Sequence, residues 1–255
     1  MKVVAIANQK GGVGKTTTAV NLAAALAEVG HKTLLIDLDP QANASTAIGC
    51  TAEPGRSLYS CMIGQSVIHD KIQASPYENL SIVTSEVDLA GCEVEIARME
   101  NPLRRLREVL EPLRNDNNYQ HVLLDCPPSL GILMTNALAA AQGLLVPVQC
   151  EFFALDGISK ILDLVARIKN NGVNPEIEVV GVALTMFDAR TRLSQQVMSE
   201  LQQHLPDKIF KSIIPRSIRL GEAPSFGKPI LAYDPSGIGS QSYRQLAAEF
   251  IERVK

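Results

Sequence analysis

The sequence predicts a doubly wound α/β fold, a mostly parallel sheet with helices on both faces, on three observations. Short runs rich in Val, Leu and Ile carry no polar alternation, as strands buried on both faces require. Longer segments with apolar residues at helical spacing separate those runs. The first apolar run, residues 3–7, passes straight into a glycine-rich stretch and then a helical pattern, the opening of a strand–loop–helix unit.

Each element follows from its local pattern. After the first strand, residues 16–29 read as a helix with Ala and Leu on the packing face. Gly30, which tolerates positive φ, closes it. Further strands are expected at 34–36, 80–83, 122–124, 144–148, 179–184 and 210–214. Helices are expected near 86–99, 102–111, 130–141, 155–170, 192–204 and 240–253. For the second of these, Asn101 suits the N-cap and Pro102 the first helical position. Leu103, Leu106 and Leu110 form its buried stripe, and its arginines the solvated face. The stretch 50–79 has the weakest pattern and reads as short helices and loops. Repeats, low-complexity tracts and long linkers are missing, so one domain over residues 1–255 is expected.

Composition excludes several classes. The chain has 255 residues, 46% hydrophobic and 20% charged, which is not the balance of a disordered protein. With 24 Lys and Arg against 27 Asp and Glu, the formal charge is −3. Binding to nucleic acid would therefore need a local basic patch. The N-terminus lacks the long apolar region of a signal peptide, and no run approaches the roughly 18 to 20 apolar residues that span a bilayer. The cysteines, Cys50, Cys61, Cys92, Cys126 and Cys150, include no C-x-x-C pair and read as core thiols of a reducing cytoplasm.

The glycine-rich stretch carries the chemistry. Residues 10–17 read Lys-Gly-Gly-Val-Gly-Lys-Thr-Thr between a strand and a helix, the setting of a phosphate loop. Gly11, Gly12, Val13 and Gly14 let successive N–H groups point inward, and the helix start adds its positive dipole end. Lys15 can reach the β- and γ-phosphates, Thr16 places a hydroxyl where Mg²⁺ sits, and Thr17 can donate toward the α-phosphate. The strict pattern wants glycine where Gln9 stands, and a second lysine, Lys10, heads the loop instead.

Two acidic segments complete the set. Asp37-Leu38-Asp39-Pro40-Gln41 follows the second strand, where carboxylates face the ligand crevice of a parallel sheet. Phosphoryl transfer to water needs one group to orient the nucleophile and another to hold Mg²⁺ through water. Val122-Leu123-Leu124-Asp125-Cys126-Pro127-Pro128 is a buried strand ending in an acid, and Asp125 is a second candidate for a metal-bound water.

With Lys10 at its head, the loop resembles that of the deviant Walker A ATPases. The resemblance runs nearly the whole chain: residues 8–18, 37–41 and 125–129, then Thr185 to Arg190, Ile214 to Leu220, and the blocks 222–225 and 227–230. These look like the ParA/Soj chromosome-partitioning ATPases. The resemblance implies ATP and Mg²⁺ as cofactors, with hydrolysis weak until a ParB-type partner stimulates it. It implies an ATP-dependent homodimer in which Lys10 contacts phosphate bound by the other subunit, much as an arginine finger neutralises charge. It gives Asp39 the attacking water, puts Asp37 near the metal, and places Pro215 near adenine, with Thr185-Met186 the weaker candidate. It further implies binding to DNA without sequence preference, and a cytoplasmic, nucleoid-associated protein.

Charge patterning offers an independent reading of the DNA-binding expectation. From 189 to 220, six bases against two acids leave +4, the kind of patch that displaces counterions from phosphates. Arg190, Arg216 and Arg219 lie in it, and the resemblance assigns DNA contact to Arg190 and Arg219. Three rivals share the fold. A MinD-like membrane ATPase would carry a basic amphipathic C-terminal helix, whereas the last eight residues here contain two acids. An iron–sulfur carrier needs a second thiol to match Cys126, and none is evident from spacing. An inactive descendant should lack catalytic groups, yet Lys15, Thr16, Asp39 and Asp125 are all present. A cargo other than DNA stays open at this stage.

Overall fold

The computed structural model describes residues 1–51 and 53–255. Its sheet contains β1 (Lys2–Ile6), β2 (Thr33–Asp37), β3 (Gln73–Ala74), β4 (Leu80–Val83), β5 (His121–Asp125), β6 (Gly143–Gln149) and β7 (Glu178–Thr185). Their order is β3-β4-β2-β5-β1-β6-β7, with every pairing parallel except the β3–β4 edge. The helices are α1 (Lys15–Glu28), α2 (Asn43–Ala47), α3 (Tyr59–Met62), α4 (Cys92–Ile96), α5 (Arg105–Asp116) and α6 (Ile132–Ala140). They continue with α7 (Ala154–Asn170), α8 (Arg192–His204), α9 (Ile218–Glu222), α10 (Ile230–Tyr233) and α11 (Ile238–Arg253). No helix among the described residues is long and apolar enough to cross a membrane.

The sheet's two faces explain why its strands lack polar alternation. Val3 and Ala5 of β1 point into one core with α5, α6 and α7, while Val4 and Ile6 point into the other with α1 and α11. Helix α1 lies between sheet and α11, and its run from Thr18 to Ala27 is buried throughout, which the alanines allow by keeping the layers close. Gly30 ends it at φ 85°, with Gly30 N–H on Ala27 O and His31 N–H on Leu26 O, a Schellman closure.

Three expected elements differ. Residues 210–214 form no strand. Phe210 and Ile214 donate to Val182 and Leu184 of β7, but the N–H groups between them, of Lys211 and Ser212, go to the Glu249 carboxylate. Gly181 lets this segment approach, since a Cβ there would stand 2.5 Å from the Phe210 ring. Asn101 is no N-cap: at φ 56° it starts a turn, and α5 begins at Arg105. Asn136 of α6 does the capping, its Oδ1 accepting from Leu106 N and its Nδ2 donating to Pro102 O. The buried stripe shifts with it to Leu106, Leu110 and Leu113. The expected helix at 86–99 is a 3-10 turn, Val87–Gly91, followed by the short α4.

Candidate active site

The sheet order brings three strand ends together. Ile6 pairs with Asp125, and Asp125 pairs with Asp37, so the loops after β1, β5 and β2 open side by side at the C-terminal edge. Sheet order also reverses here, since β1 has β5 on one side and β6 on the other. Ligands of open α/β sheets bind at such a switch point.

The loop after β1 is shaped by its glycines. Gly12 at φ 73° and Gly14 at φ 84° hold left-handed conformations that other residues resist. A Cβ on Gly11 or Gly12 would meet nothing within 4 Å, so this side of the loop is open. Two braces fix the curl. Thr185 Oγ1 donates to Val13 O at 2.8 Å, and Lys15 Nζ donates to Lys10 O at 3.1 Å. The buried Asn8 bonds Pro147 O with Nδ2 and takes Lys10 N–H on Oδ1, tying the loop's first residue to β6.

Lys15, Asp37, Asp39 and Asp125 are all buried at this edge. Burial lowers the Lys15 pKa, with the nearby charges of Asp125, Cys126 and Asp39 opposing it. Asp125 is fully enclosed, and neither carboxylate oxygen has a hydrogen-bond partner among the described residues. Burial and the neighbouring Asp37 push its pKa well up, against the pull of Thr16 and Lys15. Asp37 is the opposite case. Its Oδ2 accepts from Ser45 N–H at 2.9 Å and Ser45 Oγ at 2.7 Å, and its Oδ1 from Asp39 N–H at 3.2 Å. Burial still raises it to about 6, with these bonds acting downward. Asp39 Oδ1 takes the Gln41 N–H at 3.0 Å, and Oδ2 has no protein donor among the described residues.

Three buried carboxylates and one lysine leave the edge short of positive charge. A partnerless buried carboxylate beside Thr16, below an open glycine loop, fits a divalent cation with its water shell and a phosphate chain. Thr16 would hold such a cation directly, and Asp37 and Asp125 through water. A cleft of about 390 Å³ runs on from Gly14 and Thr17, walled by Thr185, Met186, Ile214, Pro215 and Ile218. Its apolar walls suit a flat heterocycle. Met186 sits there at φ 48°, a strained backbone at the mouth of the cleft. Thr17, Pro215 and Met186 thus line one space, although 198 residues separate the first two in the chain.

Lys10 lies at the rim. Its Nζ pairs with Glu151 Oε2 of the same chain at 2.7 Å, with the two side chains 31% and 45% exposed. Phe152 and Phe153 follow Glu151, stacked edge to face and both exposed. Glu151 carries no motif, so sequence reading passed over it; its position after β6, beside the loop, is knowable only from the sheet order.

The basic segment divides. The Phe187–Pro215 bridge and the bond from Arg216 N–H to Phe187 O lay the 188–192 loop beside 216–219. Arg190, Arg216 and Arg219 are therefore on one exposed surface next to the cleft. Arg190 pairs with Asp188 at 2.7 Å, which pulls the Asp188 carboxyl down to about 2. Arg219 reaches Glu222 at 3.4 Å and stands over the Tyr233 ring. Lys208 belongs elsewhere: it donates to Val179 O at the opposite end of β7, with Asp207 beside it, so neither of that pair counts towards the patch.

Comparison with known proteins gives a consistent picture. The family model described as an AAA domain matches residues 1–179. The chain is 46% identical over 256 residues to the chromosome partitioning protein ParA of Caulobacter vibrioides, covering all of this chain and 96% of that one. It is 45% identical to the sporulation initiation inhibitor protein Soj of Bacillus subtilis, covering 97% of each. Among solved structures it resembles the cobyrinic acid a,c-diamide synthase of Mycobacterium smegmatis with bound ADP and magnesium. That match has a TM-score of 0.84 and 30% identity, over 97% of this chain and 93% of the other.

Proposed function

The chain belongs to the ParA/Soj family of chromosome-partitioning ATPases, and from that premise we propose that it is a DNA-partitioning ATPase switched by ATP. Residues 1–255 act as one ATPase unit. ATP and Mg²⁺ are its cofactors, a reading supported by the related synthase, solved with ADP and magnesium. The observation that carries the site is the buried Asp125 carboxylate, partnerless beneath an open glycine loop.

Each group has a role the geometry supports. The N–H groups of residues 11–17 cradle the phosphates, and Lys15 neutralises charge on the transferred group. When bound, Mg²⁺ would supply Lewis-acid neutralisation of phosphate charge. Thr16 would hold it, with Asp37 and Asp125 as the buried carboxylates that would accept from its bound water. Asp39, with no protein donor to Oδ2 among the described residues, orients the attacking water. Pro215 and the cleft walls take the adenine.

The switch is one of association. With ATP bound, two copies close face to face, and Lys10 leaves Glu151 to reach the phosphates of the other copy. Closure sets two basic surfaces side by side, each with Arg190, Arg216 and Arg219. DNA affinity thereby comes to depend on ATP. A ParB-type partner accelerates an otherwise weak hydrolysis and releases the dimer from the nucleoid, within the cytoplasm.

The decisive experiment measures DNA binding with ATP, ADP and no nucleotide at two salt concentrations. Binding that requires ATP and weakens steeply with salt is expected. ATP-dependent dimers without DNA affinity would transfer the reading to another cargo. Liposome co-sedimentation with ATP would favour a membrane-associated relative instead.

A further inference from the structure

Ser45 stands apart from the residues that motif reading singles out. It is 1% exposed, in the first turn of α2, and touches three elements. Its N–H and hydroxyl both go to Asp37 Oδ2, at 2.9 and 2.7 Å. Its oxygen also accepts the N–H of Ser85, just past β4, at 3.0 Å. That last bond fixes the direction of the hydroxyl. With the Ser85 N–H occupying an oxygen lone pair, the single hydroxyl proton is the one directed at Asp37.

The contrast between the two adjacent acids is the telling feature. Asp37 takes three protein donors, whereas Asp125, with the Thr16 hydroxyl nearby, has none within hydrogen-bond distance among the described residues. Capping α2 would require one bond from Asp37, and the backbone N–H of Ser45 already makes it. The hydroxyl is additional. Its effect is to deny the carboxylate rotation about χ2, leaving one defined direction in which Asp37 can still accept.

We propose that Ser45 is a positioning residue for the Mg²⁺–ATP site, locking Asp37 in the orientation that accepts a cation-bound water. This rests on the reading of Thr16, Asp37 and Asp125 as the cation's surroundings. Ser45 touches neither nucleotide nor cation. It acts through Asp37, one shell further from the cation than the partners of direct metal ligands, so its effect belongs at the low end of theirs.

The test is equilibrium binding of a fluorescent, non-hydrolysable ATP analogue, measured with Mg²⁺ and with EDTA. The gain in affinity that Mg²⁺ confers on the parent should fall about tenfold in Ser45→Ala, the lower end for outer-shell partners. Affinity in EDTA should be unchanged, and Ser45→Thr should restore the gain. Should Ser45→Ala fail to fold, Ser45→Cys keeps the shape with a weaker donor, and the same loss at smaller size is expected. An Ala variant with the full Mg²⁺ gain overturns the proposal, as does equal weakening in Mg²⁺ and EDTA, which marks a purely structural role. A parent protein whose nucleotide affinity ignores Mg²⁺ would instead overturn the site reading beneath it.

Discussion

Replacing Glu151 by Gln should strengthen the proposed ATP-dependent dimer, because on that proposal Lys10 has to abandon Glu151 before it can act in trans. The pair is half-exposed, at 31% and 45%, and 2.7 Å long. Ion pairs of this class contribute about 0.2–1 kcal/mol. The variant keeps a hydrogen-bond acceptor for Lys10 and removes the charge, so the free monomer loses up to that amount. A symmetric dimer breaks two such pairs, which doubles the figure to about 0.4–2 kcal/mol. At 1.4 kcal/mol per tenfold, dimerisation should tighten by a factor of about 2 to 30.

Sedimentation equilibrium with Mg²⁺–ATP measures this in an Asp39→Ala background, where turnover does not deplete the ligand. The effect should be largest at low ionic strength. It should nearly vanish at about 1 M salt, where the Debye length of about 3 Å already screens the parent's pair. Lys10→Ala should abolish the gain from Glu151→Gln, since there is then nothing to release. An unchanged or weaker dimer at low salt, or a gain indifferent to salt, refutes the account of Lys10 as a group held in reserve.

Lys15→Ala should weaken nucleotide binding by at least tenfold, the loss of one charge-assisted contact of about 1.5–3 kcal/mol, and titration of a fluorescent analogue reads it directly. Asp39→Ala should form ATP-bound dimers yet release no phosphate; retained hydrolysis would remove Asp39 from the water-positioning role. Arg190→Ala or Arg219→Ala should weaken DNA binding and lower its salt slope by about 1 each, with ATP affinity unchanged in the same preparations. The melting temperature of the parent should fall relative to that of His121→Gln as pH drops from about 6.5 towards 4, the raised carboxyls of Asp37 and Asp125 acting the other way in both proteins. Burial against Phe250 and the charge of His31 hold His121 down to about 4, so the unfolded chain takes up a proton there that the folded one refuses. A parent–variant difference that stays constant over that range would remove His121 from this role. Gly49→Ala should cost about 2–5 kcal/mol in urea denaturation, from a φ of 76° and a Cβ only 2.7 Å from Gly227 O.

Legibility in the sequence tracked the range of the interactions involved. Strands β1, β2, β4, β5, β6 and β7 could be read because burial on both faces leaves a local signature, an apolar run between helical patterns. The phosphate loop could be read because its needs are also local: glycines where φ is positive and a lysine at the helix start. Residues 210–214 misled because they have a strand's composition, while Glu249 claims the donors of Lys211 and Ser212 from 37 residues away. Asn101 misled in the same way, its capping task having passed to Asn136 on a neighbouring helix. Glu151 and Ser45 act at the site without a pattern of their own; each depends on a partner supplied by sheet order.

Helix α2 shows how such long-range contacts can join two functions. At five residues it is far too short to be stable alone, so its placement is dictated by what holds its ends. One end is fixed on the acid pair through Ser45 and Asp37. At the other, Gly49 packs against Gly227 so closely that a Cβ on either would stand within 3 Å of the other's backbone. Gly227 caps the turn that follows α9, the helix carrying Arg219. The end of β2 and the basic surface are thus connected through one short strut, with backbone against backbone at the far joint. A side-chain contact there could yield by changing rotamer, but two glycines in van der Waals contact have none to change. A displacement of Asp37 that keeps its two bonds to Ser45 therefore either moves the Arg219 segment or parts the glycines.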